Sequence, residues 1–427
     1  MTTKQLLFVS VFLLSAFFTQ AQTYISSPYS RYGLGDLFTH SVGQSQAMGG
    51  TFMGLRDPNH LNFNNPASYT SLDSLSFLFE MGGLGRASMG RSGELENQSA
   101  TFNFNYLAAG FRIKKGWAAS FGLLPYSSVG YELQTSGELA LDGDDVQRYI
   151  TSYAGLGGLS QVFIGQAIDL GKYLSLGVNA RYYFGSLDHV RVVSFVEEDG
   201  TSSQNYFNTR FSDRILVSDF SFDFGLQAKK EFSNNRQLTA GITYAYNDQL
   251  SGFANHFIEK ANSAGLVDTI INIDSEKSSV SLPARLGLGL TFRTDQWTLS
   301  ADYQQQDWTG ASFINQQDSL ANSNRFAFGA EFIPNSRNVI SFWSRTRYRV
   351  GAFYHNTYWN INQNQVSDYG ISFGLGLPVN RGKSTVNFNV ILGQRGSLEQ
   401  NLLQENYALF SINLSLHDIW FLKRKFD

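Results

Sequence analysis

Apolar and polar residues alternate one by one along most of this chain. In the stretch Leu282–Trp308, two extended segments flank a tight turn at Arg293–Gln296. After the turn, Trp297, Leu299, Ala301 and Tyr303 fall on one face, and Thr298, Ser300, Asp302 and Gln304 on the other, as period two requires of a strand. The same alternation recurs at Phe102–Tyr106, Leu174–Tyr182, Phe220–Leu226, Phe326–Phe332, Val386–Leu392 and Phe410–Leu416. It predicts about 14 strands, most of them near the roughly 9–11 residues a tilted membrane strand needs. Their cores fall near 75–85, 98–113, 116–127, 158–169, 172–187, 213–230, 237–248, 278–292, 297–308, 325–333, 346–356, 368–378, 383–393 and 406–420.

Alternation alone also fits a soluble sandwich. The connections separate the two folds. Short turns at 114–116, 169–173, 234–236, 293–296 and 380–383 alternate with long polar stretches near 128–157, 188–212, 249–277, 309–324, 357–367 and 394–405. Only the connection Pro334–Arg345, about a dozen residues where a short turn is due, breaks the rule. Short turns at one end and long loops at the other are the layout of an outer-membrane barrel. The expected fold class is therefore all-β, a transmembrane antiparallel β-barrel of about 14 strands over residues 73–427. Aromatics near strand ends (Trp117, Tyr126, Tyr173, Tyr182, Trp297, Trp308, Trp343, Trp359 and Trp420) are expected in its interfacial girdles.

Residues 22–72 do not alternate. They are rich in Gly, Ser and Asn, yet Tyr29, Leu34, Met48, Phe52, Met53, Leu61 and Phe63 make them too apolar for a solvated tail. The expectation is a compact plug inside the lumen. Ahead of it, Lys4, the apolar run Leu6–Phe18 and the small residues closing at Ala21 read as a signal peptide over 1–21, with an apolar core shorter than the roughly 20 residues of a membrane helix.

Composition adds exclusions. The 427 residues include no cysteine, which rules out disulfides, thiolate metal sites and Cys catalysis. A net charge of −3 shows no basic field, so no nucleic-acid partner is expected. The six histidines (His40, His60, His189, His256, His355 and His417) lack metal-ligand spacing. Gly155–Gly158 lacks the Lys of a phosphate loop. Asp142–Asp145 and Glu197–Asp199 read as solvated loop charges. No local Ser–His constellation stands out. No catalytic residue, metal or cofactor is expected.

Three stretches resemble the FadL/TodX family of outer-membrane hydrophobic-compound transporters. They are Asn65-Pro66-Ala67 just before the first strand, Ser120–Tyr126 with Pro125, and Leu282–Trp308, where a Pro opens one strand and Asp-Trp closes the next. The signal ending and the terminal Ile419–Phe426 are similar to members from the Bacteroidota. The resemblance implies an outer-membrane channel for passive uptake of hydrophobic small molecules, such as long-chain fatty acids, through a plugged barrel with lateral release. Both barrel termini would be periplasmic. Asn65, Pro66 and Ala67 match the plug motif, Pro125 a wall kink, and Phe52, Met53, Leu61 and Phe63 would meet the ligand. Outer-membrane lipid, lipopolysaccharide and other outer-membrane proteins are the further partners implied. The alternative is a non-transporting barrel subunit of an outer-membrane secretion or assembly complex, a role taken by Bacteroidota relatives. The stretch Ser27–Asp36 departs from the proteobacterial pattern.

Overall fold

The computed structural model describes residues 27–419 apart from 39–42, 75, 141–145, 198–200, 202–205, 262–266, 312, 314–319, 336–340, 380–382 and 401. The expected signal peptide, residues 22–26, His40, Asp142–Asp145 and Trp420 lie outside the described residues, as does most of Glu197–Asp199.

Fourteen antiparallel strands close into one barrel. They are β1 (Ser76–Ser92), β2 (Leu95–Lys114), β3 (Trp117–Pro125 continued by Ser127–Ala140), β4 (Val146–Leu170), β5 (Leu174–Val196), β6 (Asn208–Phe232) and β7 (Arg236–Ala245 continued by Asp248–Ala261). Then follow β8 (Val267–Leu282 continued by Arg285–Arg293), β9 (Trp297–Asp307), β10 (Asn322–Phe332), β11 (Arg347–Ile361), β12 (Asn364–Val379), β13 (Ser384–Arg395) and β14 (Gln404–Ile419). The ring closes where β14 runs antiparallel to β1, from Gln404↔Arg91 to Ile419↔Ser76. Closure gives each strand a neighbour on both sides, which a hydrocarbon layer demands of any spanning backbone.

The faces are inverted relative to a soluble protein. Leu290, Leu299, Phe220, Phe328, Phe410 and Ile412 are exposed on the outer wall. Their strand neighbours Thr291, Ser300, Ser221, Ser411 and Asn413 are buried toward the bore. Water drives apolar groups inward; lipid removes that drive and leaves polar groups seeking partners inside the ring.

Strand cores fall where the alternation places them, but the long connections do not. Much of 128–157, 188–212 and 249–277 is strand, because β3 to β8 run on past the membrane band; β4 and β6 have 25 residues each. Beyond the hydrocarbon both faces meet water. The apolar–polar contrast fades there while backbone pairing continues, so the pattern understates strand length. Tyr173, Trp297 and Trp343 are exposed, as girdle residues must be. The girdle expectation fails for Tyr126, Trp308 and Trp359. These are buried inside the bore, where Trp308 stacks on Tyr358 at 4.5 Å and Trp359 packs near Tyr29. Their strand parity points inward, which nearness to a strand end does not reveal.

The wall's ladders are interrupted between β6 and β7, which step from Asp223↔Ala245 to Val217↔Gly252, and beside Pro125. The β2–β3 ladder runs from Lys114↔Trp117 to Leu107↔Leu123 and stops. Pro125 still faces Ser160 of β4, and pairing resumes one residue out of step at Val129↔Gly157. Gly157, Gly158 and Gly185 take positive φ beside this bulge (108°, 151° and 149°), a region side chains resist. Past the break, among the described residues, Leu95–Tyr106 has ladder partners only on β1 and Ser127–Ala140 only on β4 and on the N-terminal segment.

Candidate functional site

The segment 27–72 threads the bore. At the end carrying the long hairpins, the two-residue strand Asp36–Leu37 pairs with Ser128 and Ser127 of β3. The Ser27 N–H donates to the Gly130 carbonyl at 3.1 Å, the Phe38 N–H to the Tyr126 carbonyl at 3.0 Å, and the Gly130 N–H to the Ser30 Oγ at 3.0 Å. Tyr29 and Leu34 enter an apolar cluster with Tyr126, Leu187, Leu250, Trp308, Tyr358 and Trp359. At the opposite end Leu61, Phe63, Tyr69 and Leu72 form a second cluster with Leu78, Tyr106 and Phe163.

Asn65-Pro66-Ala67 forms a helical turn. The Asn65 side chain accepts from the Ala67 N–H at 3.2 Å, and Pro66 occupies the first helical position, where its missing N–H costs nothing. The Asn65 amide also donates to the Met53 carbonyl at 2.7 Å. The turn lies directly on the wall: a Cβ on Gly177 or Gly225 would collide with Pro66 or Asn65. Asn65→Ala should therefore destabilise this seat by about 1–2 kcal/mol, the value of a helix cap plus a hydrogen bond. Hydrogen exchange over 53–71 should accelerate while the strand amides keep their protection.

Buried ion pairs fasten the segment. Asp57 accepts from Arg347 at 2.9 Å and Arg293 at 3.2 Å, and Arg347 and Arg349 also hold Glu331 at 3.5 and 2.7 Å. Asp36 accepts from Arg86 at 2.8 Å and Arg395 at 3.0 Å. Arg395 reaches Asp368 at 3.1 Å, whose other oxygen accepts from the Tyr407 hydroxyl at 2.6 Å. Asp302 accepts from the Phe52 and Met53 N–H groups at 2.6 and 2.9 Å, and Arg181 pairs with Asp223.

Burial alone would raise the carboxyl pKa of Asp57, but Arg347 and Arg293 outweigh it and hold it below the ordinary range. At Asp36, burial is likewise overcome by Arg395 and Arg86. A depressed folded-state pKa adds stability above the unfolded value, near 3.9, that is lost only as pH falls through the folded value. The share of the proteolytic protection of 27–72 that Asp57 and Asp36 supply should thus stay level from pH 7 to about 4 and decline only in stronger acid.

Between the two apolar clusters lies a cavity of about 170 Å³. Arg86, Arg285, Arg325, Arg395, Asp36 and Asp368 face it, with Phe38 and Phe52 contributed by the segment. Of the expected ligand residues, Phe52 alone lines it; Met53 lies against the wall at Gly287 and Gly289, and Leu61 and Phe63 are buried together in the second cluster. Pro125 sits at the wall discontinuity. The charged cluster around Arg395 was missed in sequence. Its signal is there: Asp368 and Arg395 are the lone charges of β12 and β13. The fold also brings the Ser323 Oγ within 3.0 Å of the His355 Nε2. Asp368, the cross-strand neighbour of His355, already has its oxygens engaged by Arg395 and Tyr407. Among the described residues there is no group of three His, Cys, Asp or Glu that could hold a metal.

A closed 14-strand ring, greasy outside and threaded by its own N-terminal segment, has the architecture of the FadL-like barrels. It superposes on the CymD monoaromatic hydrocarbon channel (TM-score 0.57, 14% identity, 91% of this chain and 100% of that one). It also superposes on the P. putida toluene transporter TodX (0.55, 15%, 92% and 99%) and on a Pseudomonas aeruginosa FadL homologue (0.55, 12%, 89% and 99%). These neighbours share the fold. No curated protein sequence matches the chain. The profile of the BamG family matches residues 1–427, and the chain belongs to that family.

Proposed function

We propose that this chain is a sealed barrel subunit of an outer-membrane assembly complex, with segment 22–72 as a fixed plug. The observation that carries this reading is the chemistry of the bore. The space between segment and wall is faced by four arginines and two aspartates, set among apolar residues such as Leu84, Phe353, Ile391 and Leu409. Three of the four side chains expected to meet a greasy solute are spent on holding the segment to the wall. Moving the segment aside to admit a hydrocarbon would break the Asp36–Arg86 and Asp36–Arg395 pairs, at a cost of several kcal/mol. Closing the long-hairpin end with a packed cluster around Trp308 fits a stopper better than a gate.

One observation favours the second reading, passive uptake of hydrophobic compounds with lateral release. The wall parts at Pro125, beside the cavity residues Tyr126 and Ser128, and the solved neighbours named above include a hydrocarbon channel and a toluene transporter.

Extraction of the tagged full-length chain from outer membranes in mild detergent separates the two. A subunit brings other polypeptides at fixed stoichiometry through gel filtration and does not speed uptake of a fluorescent fatty acid or of toluene into liposomes. A chain that elutes alone with bound apolar solute and accelerates that uptake would reverse the assignment.

A further inference from the structure

Past the β2–β3 break, β3 offers an unused strand edge. Regular pairing of β3 with β4 runs from Val129↔Gly157 to Ala140↔Val146. Gly130 directs both its N–H and its carbonyl away from β4, to Ser30 and Ser27 of the N-terminal segment. Backbone groups in a strand repeat direction every second residue. The N–H and C=O of Glu132, Gln134, Ser136 and Glu138 therefore point into the gap as well. The edge is already used as a template at its start, where Asp36–Leu37 adds to it as a short antiparallel strand. Natural edges are often blunted by Lys or Pro. Neither occurs in Ser127–Ala140 or in the facing Leu95–Tyr106, and the charges of both stretches are all acidic (Glu96, Glu132 and Glu138), which favours a basic partner.

We infer that Tyr131–Ala140 is a docking edge for an extended segment of a partner polypeptide, which continues the sheet begun by Asp36–Leu37. The inference rests on the assembly-subunit reading and supplies the form of its contact. Main-chain hydrogen bonds give such augmentation its affinity, and alternate side chains its selectivity. The inner face presents Tyr131 and the half-buried Leu133, both packed on the apolar cluster of the bore. The outer face presents exposed Glu132, Gln134 and Ser136. The strand that fits is apolar at every second position, with polar or basic residues between.

A benzophenone amino acid at Gln134, in the otherwise unaltered chain and in cells, should cross-link to a second polypeptide in one discrete band. The same group at Phe373, exposed on a strand paired on both sides, should not. Gln134→Pro removes an N–H that faces the gap and none that bonds β4. It should cut partner recovery at least about tenfold while leaving heat-resistant barrel migration unchanged. Thr135→Pro, whose N–H turns toward β4, should disturb that migration instead. Adducts only to lipopolysaccharide, only within one chain (as from residues 22–26), or full partner recovery with Gln134→Pro would overturn the docking edge while leaving the subunit reading intact. If the unaltered chain carries no polypeptide at all, the subunit reading itself fails.

Discussion

Asp57→Ala should unseat the N-terminal segment and lower stability by about 3–5 kcal/mol, the cost of breaking a buried ion pair from one side. The carboxylate is 5% exposed and holds two guanidiniums, of Arg347 (13% exposed) and Arg293 (27% exposed). Without it Arg347 keeps only the 3.5 Å contact to Glu331, already shared with Arg349, so a net positive charge remains in a water-poor place. Arg293 can turn toward solvent, which puts the effect at the lower end of the range. Expected readouts are an earlier thermal loss of the compact gel form, faster proteolysis within 27–72, and ion leakage across a planar bilayer. Lys383→Ala is the comparison. That residue reaches Asp73 only at 3.9 Å with both side chains about half exposed, and surface pairs of this kind contribute about 0–1 kcal/mol. Equal effects from the two substitutions would show that the buried clusters do not fasten the segment.

Leu290→Arg is expected to destabilise the barrel in a bilayer by about 2–4 kcal/mol if it lies near the midplane. Leu290 is 55% exposed; on a water-soluble protein an exposed leucine tolerates arginine within about half a kcal/mol. It stands between Ala240 of β7 and Ala301 of β9, on the outer face shared with Leu288 and Phe292. The guanidinium would have to reach a headgroup region or remain unsolvated in hydrocarbon. Folding the variant and the parent into vesicles and comparing urea midpoints measures the difference. A Leu290→Arg chain as stable as the parent would place this face in water and remove the membrane from the argument.

The strands themselves are legible because lipid imposes a local rule. Each residue on the outer face of β9 must be apolar and each on the inner face can be polar, so Trp297–Gln304 announces its pairing without help from distant residues. The ends of strands are less legible. Outside the hydrocarbon the rule lapses, and Val267–Lys277, exposed along its length, reads as loop although it pairs with β7. Within the bore, composition marks Phe63 and Met53 as buried but not where they are buried. Their partners, Phe163 and Gly287, lie at least 100 positions away and carry no local sign of the contact.

Period-two alternation and the spacing of turns settle, by themselves, that this chain makes a membrane barrel of this size, because bilayer thickness and backbone hydrogen bonding act residue by residue. Only the tertiary structure decides that Asp36, Arg86, Asp368 and Arg395 meet around one cavity, with Glu405 paired behind them. It alone decides that Tyr126, Trp308 and Trp359 turn inward, and that the wall parts beside Pro125 and leaves an edge of β3 open. Those outcomes depend on curvature and register around a closed ring, where residues far apart in the chain share one small space.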